Sequence, residues 1–189
     1  MSNYTALLDA NVLYPAPLRD LLLQLAITDL FRAKWTADIH REWIEALLRQ
    51  EPHRDRTKLE RTRALMDSHI RDCLVSGYES QIPTLELPDP DDRHVLAAAI
   101  VGRCDVIVTQ NLRDFPDTAL APYGIDVQHP DDFLCNHLNL AQGLFCGVVR
   151  KVRRRLQNPP YTIEQYLDIL TGNGLVATAA ELRPFAELL

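Results

Sequence analysis

The chain has 189 residues, 47% of them hydrophobic and 24% charged, which excludes disordered, collagen-like and coiled-coil classes and leaves enough apolar material for one sizeable core. Lys plus Arg is 20 and Asp plus Glu is 26, so a net charge of −6 argues against holding nucleic acid by bulk positive charge. No apolar run approaches the ~18 residues of a membrane span, no secretion signal is visible, and Cys73, Cys104, Cys135 and Cys146 form no C-x-x-C pair; a cytoplasmic protein with reduced thiols is expected.

In chain order, residues 5–9 (TALLD) read as a short buried strand that ends in an acid. A turn follows at Asn11, and Leu18, Leu22, Leu25 and Leu30 space a helix over 18–32. A second short strand is expected at 33–36. An amphipathic helix over 38–50 puts Ile39, Trp43, Leu47 and Leu48 on one side, and a longer polar helix covers 54–70. Residues 75–87 carry no clear pattern. Pro88-Asp-Pro-Asp-Asp92 opens an apolar helix to about Val101, and β-branched DVIVT at 105–109 is a core strand. Residues 111–122 read as loop or short helix, and 125–128 as a last strand. From Pro130 strand signals stop, and helices are expected over 138–156, 161–170 and 178–188.

Helices alternate with apolar strands that lack polar alternation, which is the pattern of an α/β fold around a parallel sheet buried on both faces. The expected organisation is an α/β body over 1–135 and a helical appendage over 136–189, packed on it. The body carries 22 acids and 14 bases, the appendage 4 acids and 6 bases. Basic residues cluster at Arg54, Arg56, Lys58, Arg61 and Arg63, and again at Arg150, Lys151, Arg153, Arg154 and Arg155. Of the 20 bases 17 are Arg, whose planar fork suits phosphate, although for each cluster taken alone a solvated helix face is the favoured reading.

Ligands of open α/β sheets sit outside the carboxyl ends of the strands, so acids there carry weight. Asp9 ends the first strand, and the first expected helix starts too far on for Asp9 to cap it. Glu42, at the edge of an apolar stripe, reads alone as a surface residue near a helix N-terminus. Asp89 as N-cap, Pro90 at the first helical position and acids near the dipole explain part of the Asp89, Asp91, Asp92 set. A third like charge is poorly explained, and Asp92 lies at the end of the buried stripe with Leu96 and Ala99. Thr109, Asn111 and Asp114 follow the core strand at 105–109, where a plain Asn/Asp turn is the competing reading. Carboxylates meeting at one rim repel unless neutralised, and Mg2+ or Mn2+ prefers oxygen ligands and can generate hydroxide from bound water.

The runs Leu7-Leu-Asp-Ala-Asn-Val-Leu13, Pro88-Asp-Pro-Asp-Asp-Arg-His-Val-Leu-Ala-Ala-Ala99 and Val108-Thr-Gln-Asn-Leu-Arg-Asp-Phe-Pro116, with Glu42 between the first two, resemble the four acidic motifs of PIN domains. The match covers roughly residues 4–130, and within the family the chain resembles bacterial VapC-type toxins. The resemblance implies an α/β/α sandwich with a central parallel sheet and a Mg2+- or Mn2+-dependent ribonuclease that leaves 5′-phosphate and 3′-hydroxyl ends. Carried over by position, the catalytic and metal-holding acids are Asp9, Glu42, Asp92 and Asp114. Many relatives have Thr-x-Asp at the fourth motif; here Asn111 takes that place, and Asp114 is the expected acid with Asn111 assisting. Asn11 and Thr109 are expected to support the site, and Arg54, Arg56, Lys58, Arg61 and Arg63 to meet RNA. The resemblance also implies an antitoxin partner and a homodimer. Two rival readings are a non-catalytic RNA-binding PIN module and a haloacid dehalogenase-type phosphatase with Asp9 as nucleophile. The second lacks the Asp expected at Asn11 and a late Lys before paired acids.

Overall fold

The computed structural model describes residues 4–157 and 159–189. Four short strands form one parallel sheet: β1 (Thr5–Leu8), β2 (Arg32–Lys34), β3 (Val106–Val108) and β4 (Asp126–Gln128), in the order β2-β1-β3-β4. Every residue of β1 and β3 is buried, as strands covered by helices on both faces require. Leu8 stands opposite Val108, and Val108 opposite Gln128, so the carboxyl ends of the strands lie level. The chain leaves β1 toward β2 on one side and returns as β3 on the other. A topological switch point therefore lies between β1 and β3. The α/β fold with a central parallel sheet is the one expected.

Helix α1 (Ala10–Leu13) begins at once after β1, where only a turn was expected. Asp9 does cap it, its carboxylate accepting from the Ala10 N–H at 2.6 Å, which corrects the view that Asp9 stands too far from a helix to cap one. Four residues are too few to show helical periodicity, so this turn leaves no mark in the sequence. Helix α2 (Ala16–Ile27) is followed by α3 (Ala37–Gln50), capped by Thr36, and α4 (Arg56–His69), capped by Asp55. A buried polar network ties α3 to α4. His40 Nε2 meets Asp67 Oδ1 at 2.9 Å, and Trp43 Nε1 donates to His40 Nδ1 at 2.9 Å. Trp35 Nε1 also donates to Asp67 Oδ1, at 2.8 Å.

The unassigned stretch at 75–87 holds a 3-10 turn at Glu79–Thr84. A second one, Pro90–Asp92, leads directly into α5 (Arg93–Val101). Asp89 caps that turn as its position suggests, accepting from the Asp91 N–H at 2.9 Å. After β3 come a 3-10 turn at Leu112–Asp114 and the short α6 (Asp117–Leu120).

Helix α7 (Pro130–Leu140) runs through the 135/136 position at which sequence divides body from appendage. The single helix expected over 138–156 is two helices, α7 and α8 (Gln142–Arg155), broken at Ala141, which has φ −144° and ψ 54°. No proline or glycine marks that residue. The break follows from packing, since α7 lies against the later α10 while α8 lies against α2. Helix α9 (Ile163–Gly172) opens with a capping box from Thr162 and Gln165, and α10 (Val176–Leu182) precedes a last 3-10 segment, Arg183–Leu188. One hydrophobic core runs from the sheet into α7–α10, with Phe31 packed edge-on against Phe133 at 4.9 Å. No helix among the described residues is long and apolar enough to cross a membrane.

Candidate active site

The carboxyl ends of β1 and β3 place Asp9 and Thr109 side by side at the switch point, Asp9 N–H donating to the Val108 carbonyl at 3.1 Å. Asp9 is 5% exposed and Thr109 fully buried. Three donors fix the Asp9 carboxylate: the Ala10 N–H, Asn11 Nδ2 at 2.6 Å and Thr109 Oγ1 at 2.7 Å. Asn11 Nδ2 also reaches Thr109 Oγ1 at 2.8 Å, while its Oδ1 accepts from the Gln110 N–H at 3.0 Å. Asn11 thus laces the loop after β1 to the loop after β3. The Asp9 carboxylate is thus held on both oxygens and almost fully buried.

Asp92 stands at the start of α5, and Asp114 on the turn after β3. Ligand oxygens of Asp89, Asp92 and Asp114 lie within 4.8 Å of one another. Asp89, read from sequence as a cap alone, is therefore also part of the acidic cluster. Asn111 Nδ2 donates to Asp114 Oδ2, and the Asn111 N–H donates to Thr109 Oγ1 at 3.1 Å, so Asn111 orients the fourth acid. Burial and then the charges of Asp9, Asp114 and Asp89 push the Asp92 carboxyl up to about 7. Burial likewise raises Asp9, the hydrogen bonds from Thr109 and Ala10 oppose the rise, and the Glu42 charge adds to it. Such opposed carboxylates mark a place that gains from a cation.

Glu42 projects from α3 and is half-exposed. Its Oε1 meets His94 Nε2 at 2.8 Å. His94 was not singled out from the sequence. Burial works against its cation, but the hydrogen bond and charge of Glu42, with Asp38 and Asp9, raise its pKa above the ordinary value. His94 Nδ1 is buried without a partner among the described residues.

The arginine-rich helix is less free than its composition suggests. Arg54 pairs with Glu51 at 2.8 Å, Arg56 with Glu45 at 2.6 Å, and Arg63 with Glu60 at 3.5 Å. Lys58 and Arg61 make no ion pair among the described residues. Three of the five expected RNA-contact cations thus carry an acidic partner: two pairs are i,i+3 neighbours along the chain, and Arg56–Glu45 crosses from α4 to α3.

A groove of about 820 Å³ opens beside the acids and includes Asn11 and Glu42 in its wall. A separate cavity of about 720 Å³, largely apolar, lies between α2, α4 and the C-terminal helices and shares no residue with the acidic centre.

A family model described as PIN domain matches residues 5–113, and one described as VapC50 C-terminal domain matches residues 130–184. Asp114 lies just past the end of the first match. A Mycobacterium tuberculosis protein named "Putative ribonuclease VapC50" is 46% identical over 92 residues, covering 49% of this chain and 54% of that protein. The chain spans about half the length of the curated relative it matches. No solved structure matches the chain. With more than half of its residues in the PIN match, a parallel sheet in the order β2-β1-β3-β4 and acids gathered at the switch point of that sheet, the chain belongs to the PIN domain family.

Proposed function

We propose that the protein is a divalent-metal-dependent endoribonuclease that hydrolyses RNA phosphodiesters, and that it is the toxin of a type II toxin–antitoxin pair. The observation that carries this reading is the convergence of Asp9, Asp89, Asp92 and Asp114 at the end of the sheet from three separate stretches of sequence. The donor set is all oxygen and all anionic, which fits Mg2+ or Mn2+ and not a softer ion.

Asp92 and Asp114, with Asp89, would hold the cation, and Asp9 and Glu42 would complete its surroundings through water. When bound, such an ion neutralises the carboxylates, polarises the phosphate and lowers the pKa of a water molecule. In this scheme the chain's own residues do the rest. Asn11 and Thr109 hold Asp9 in one rotamer. Asn111 aims Asp114. His94 holds Glu42 by Oε1 and leaves Oε2 to accept a proton from the attacking water. The water oxygen bonds to phosphorus in line, the P–O3′ bond breaks, and the departing oxygen takes up a proton, which yields 5′-phosphate and 3′-hydroxyl ends.

The toxin assignment draws support from the 46% identity over 92 residues to a protein named as a VapC ribonuclease and from the VapC50 C-terminal domain match over residues 130–184. An antitoxin partner, a homodimer and a cytoplasmic location complete the proposal. Asp9→Asn and Asp92→Asn should each abolish RNA cleavage in Mg2+ or Mn2+ while the proteins remain folded by circular dichroism. Cleavage that persists in either variant, or in EDTA, would end the reading of these acids as a metal-dependent nuclease centre. RNA binding by the wild-type protein without turnover would instead favour the non-catalytic PIN module.

A further inference from the structure

The groove beside the acidic centre has walls of two origins. Asn11 and Glu42 stand at its acidic end, Tyr14 and Arg49 line the body side, and the turn Gly172–Asn173–Gly174 between α9 and α10 forms the far side. A strand of RNA with its phosphate at the acids must lay a neighbouring nucleotide in this space or outside it altogether. At about 820 Å³ the groove falls in the ~300–1,000 Å³ range of small-ligand sites.

The chemistry of its lining suits a nucleotide. Arg49 makes no ion pair among the described residues, in contrast to Arg54, Arg56 and Arg63, so a guanidinium is free for phosphate beside a centre that is otherwise acidic. The side-chain amides of Gln50 and Gln110, also in the lining, have no hydrogen-bond partners among the described residues. Tyr14 is half-buried, which leaves part of its ring as a platform for a base. Its backbone is held in place: Arg19 Nη1 donates to the carbonyls of Leu13 at 2.6 Å and Tyr14 at 3.4 Å, and the Arg19 guanidinium lies over the Trp43 ring at 4.8 Å.

The opposite wall is equally defined. Asn173 Nδ2 donates to the Ile169 carbonyl at 2.7 Å, which anchors the side chain and leaves Oδ1 without a partner among the described residues. Gly174, at φ +83°, makes the turn that sets Asn173 at the groove. A Cβ added at Gly172 would meet nothing within 4 Å, so that position borders open space.

We propose that this groove binds the nucleotide next to the cleaved bond of a single-stranded RNA, with its base on Tyr14 and its edge read by Asn173, so that the C-terminal extension helps to choose the cut site. The inference rests on the nuclease reading above for the word "cut" and on the groove alone for binding.

The test uses the full chain with two substitutions outside the acidic cluster. Gly172→Phe places a ring in the groove at a position whose φ is not positive, and Tyr14→Ala removes the stacking platform. Each variant is compared with wild type in two ways: anisotropy of a fluorescein-labelled single-stranded RNA of random sequence, and sequencing of the 5′ ends released from the unlabelled pool in Mg2+. Both variants should bind the RNA about ten- to a hundredfold more weakly, and Tyr14→Phe should restore binding. The nucleotide preference beside the cut should shift in both variants. Wild-type affinity and an unchanged cut-site profile in folded Gly172→Phe and Tyr14→Ala would overturn the proposal and leave the nuclease reading standing. Loss of binding in both variants, with no cleavage by any form, would sustain the groove and sink the nuclease reading. If Gly172→Phe melts early, the Tyr14→Ala and Tyr14→Phe pair decides alone. Wild-type protein that neither binds nor cuts the RNA would overturn both.

Discussion

Two aspartates are almost equally buried and play opposite parts. Asp9, at 5% exposure, ends β1 beside other carboxylates; Asp131, at 8%, lies on α7 where the extension closes on itself. Each accepts three short hydrogen bonds. Those of Asp131 come from the Ala177 N–H at 2.8 Å, the Thr178 N–H at 2.8 Å and Thr178 Oγ1 at 2.7 Å. These backbone donors belong to the first turn of α10, whose own N-cap, Leu175, offers no side-chain oxygen, so α7 supplies the missing cap from across the interface. Burial and hydrogen bonding do not distinguish the two residues. Their neighbours do: Asp131 meets donors, whereas Asp9 shares its surroundings with Asp92 and Glu42. A site is recognised here by like charges that the fold holds together at some cost, and a strut by charges that the fold satisfies.

The comparison breaks most visibly in activity. Asp9→Asn or Asp92→Asn should lower RNA cleavage about a thousandfold in a gel assay with Mg2+, whereas Asp131→Asn should retain wild-type cleavage below its melting temperature. Stability should sort the residues the other way. Asp131→Ala leaves the buried Thr178 N–H and the Ala177 N–H without their acceptor, for a loss of about 2 kcal/mol, which lowers Tm by roughly 4–8 °C in a calorimetric scan. Asp92→Asn removes one charge from a group with Asp89 and Asp114 and should raise Tm by about 1–3 °C in EDTA. Mg2+ should raise the wild-type Tm by several degrees and leave Asp92→Asn almost unmoved, because on the proposed reading only the intact cluster would hold the ion tightly. A drop in Tm for Asp92→Asn in EDTA would place that residue with Asp131 among the struts.

Legibility followed the range of the interactions. β1 and β3 were readable because a fully buried parallel strand is an uninterrupted apolar run, and Asp9, Asp92 and Asp114 because they stand at the ends of such runs or of the helix that follows. Asp89 was half-read: its capping role is local and visible, but its approach to Asp92 and Asp114 depends on how the turn before α5 meets the turn after β3. His94 offered no pattern at all, since its partner Glu42 is 52 residues away on another helix. The break at Ala141 was hidden for the same reason, being set by what α7 and α8 pack against and not by the residue itself. The pairing of Arg56 with Glu45 across α3 and α4 shows how a charge run read along one helix is rewritten by its neighbour. The wall contributed by Gly172–Gly174 lay beyond any local reading, because only the folded extension brings that turn to the acids.

The smallest expected effect concerns the seam between body and extension. His137 of α7 packs against Phe31 at 5.3 Å and Phe133 at 4.3 Å, and its Nδ1 meets the Phe133 carbonyl at 2.8 Å. Burial lowers its pKa, the bond to Phe133 only partly opposes this, and no charged group contributes. The folded protein therefore holds His137 neutral at pH values where the unfolded chain binds a proton, between the folded value and ~6.5. The stability this residue contributes is fully present above ~6.5 and declines as pH falls toward the folded value. His137→Gln loses ring contacts at every pH but has no proton to take up. The Tm gap between wild type and His137→Gln should thus be widest near pH 8 and narrow by about 1–3 °C on going to pH 5.5. A gap that stays constant across that range would mean that the His137 proton is as welcome in the fold as in water, and that burial at the seam does not disfavour the charged ring.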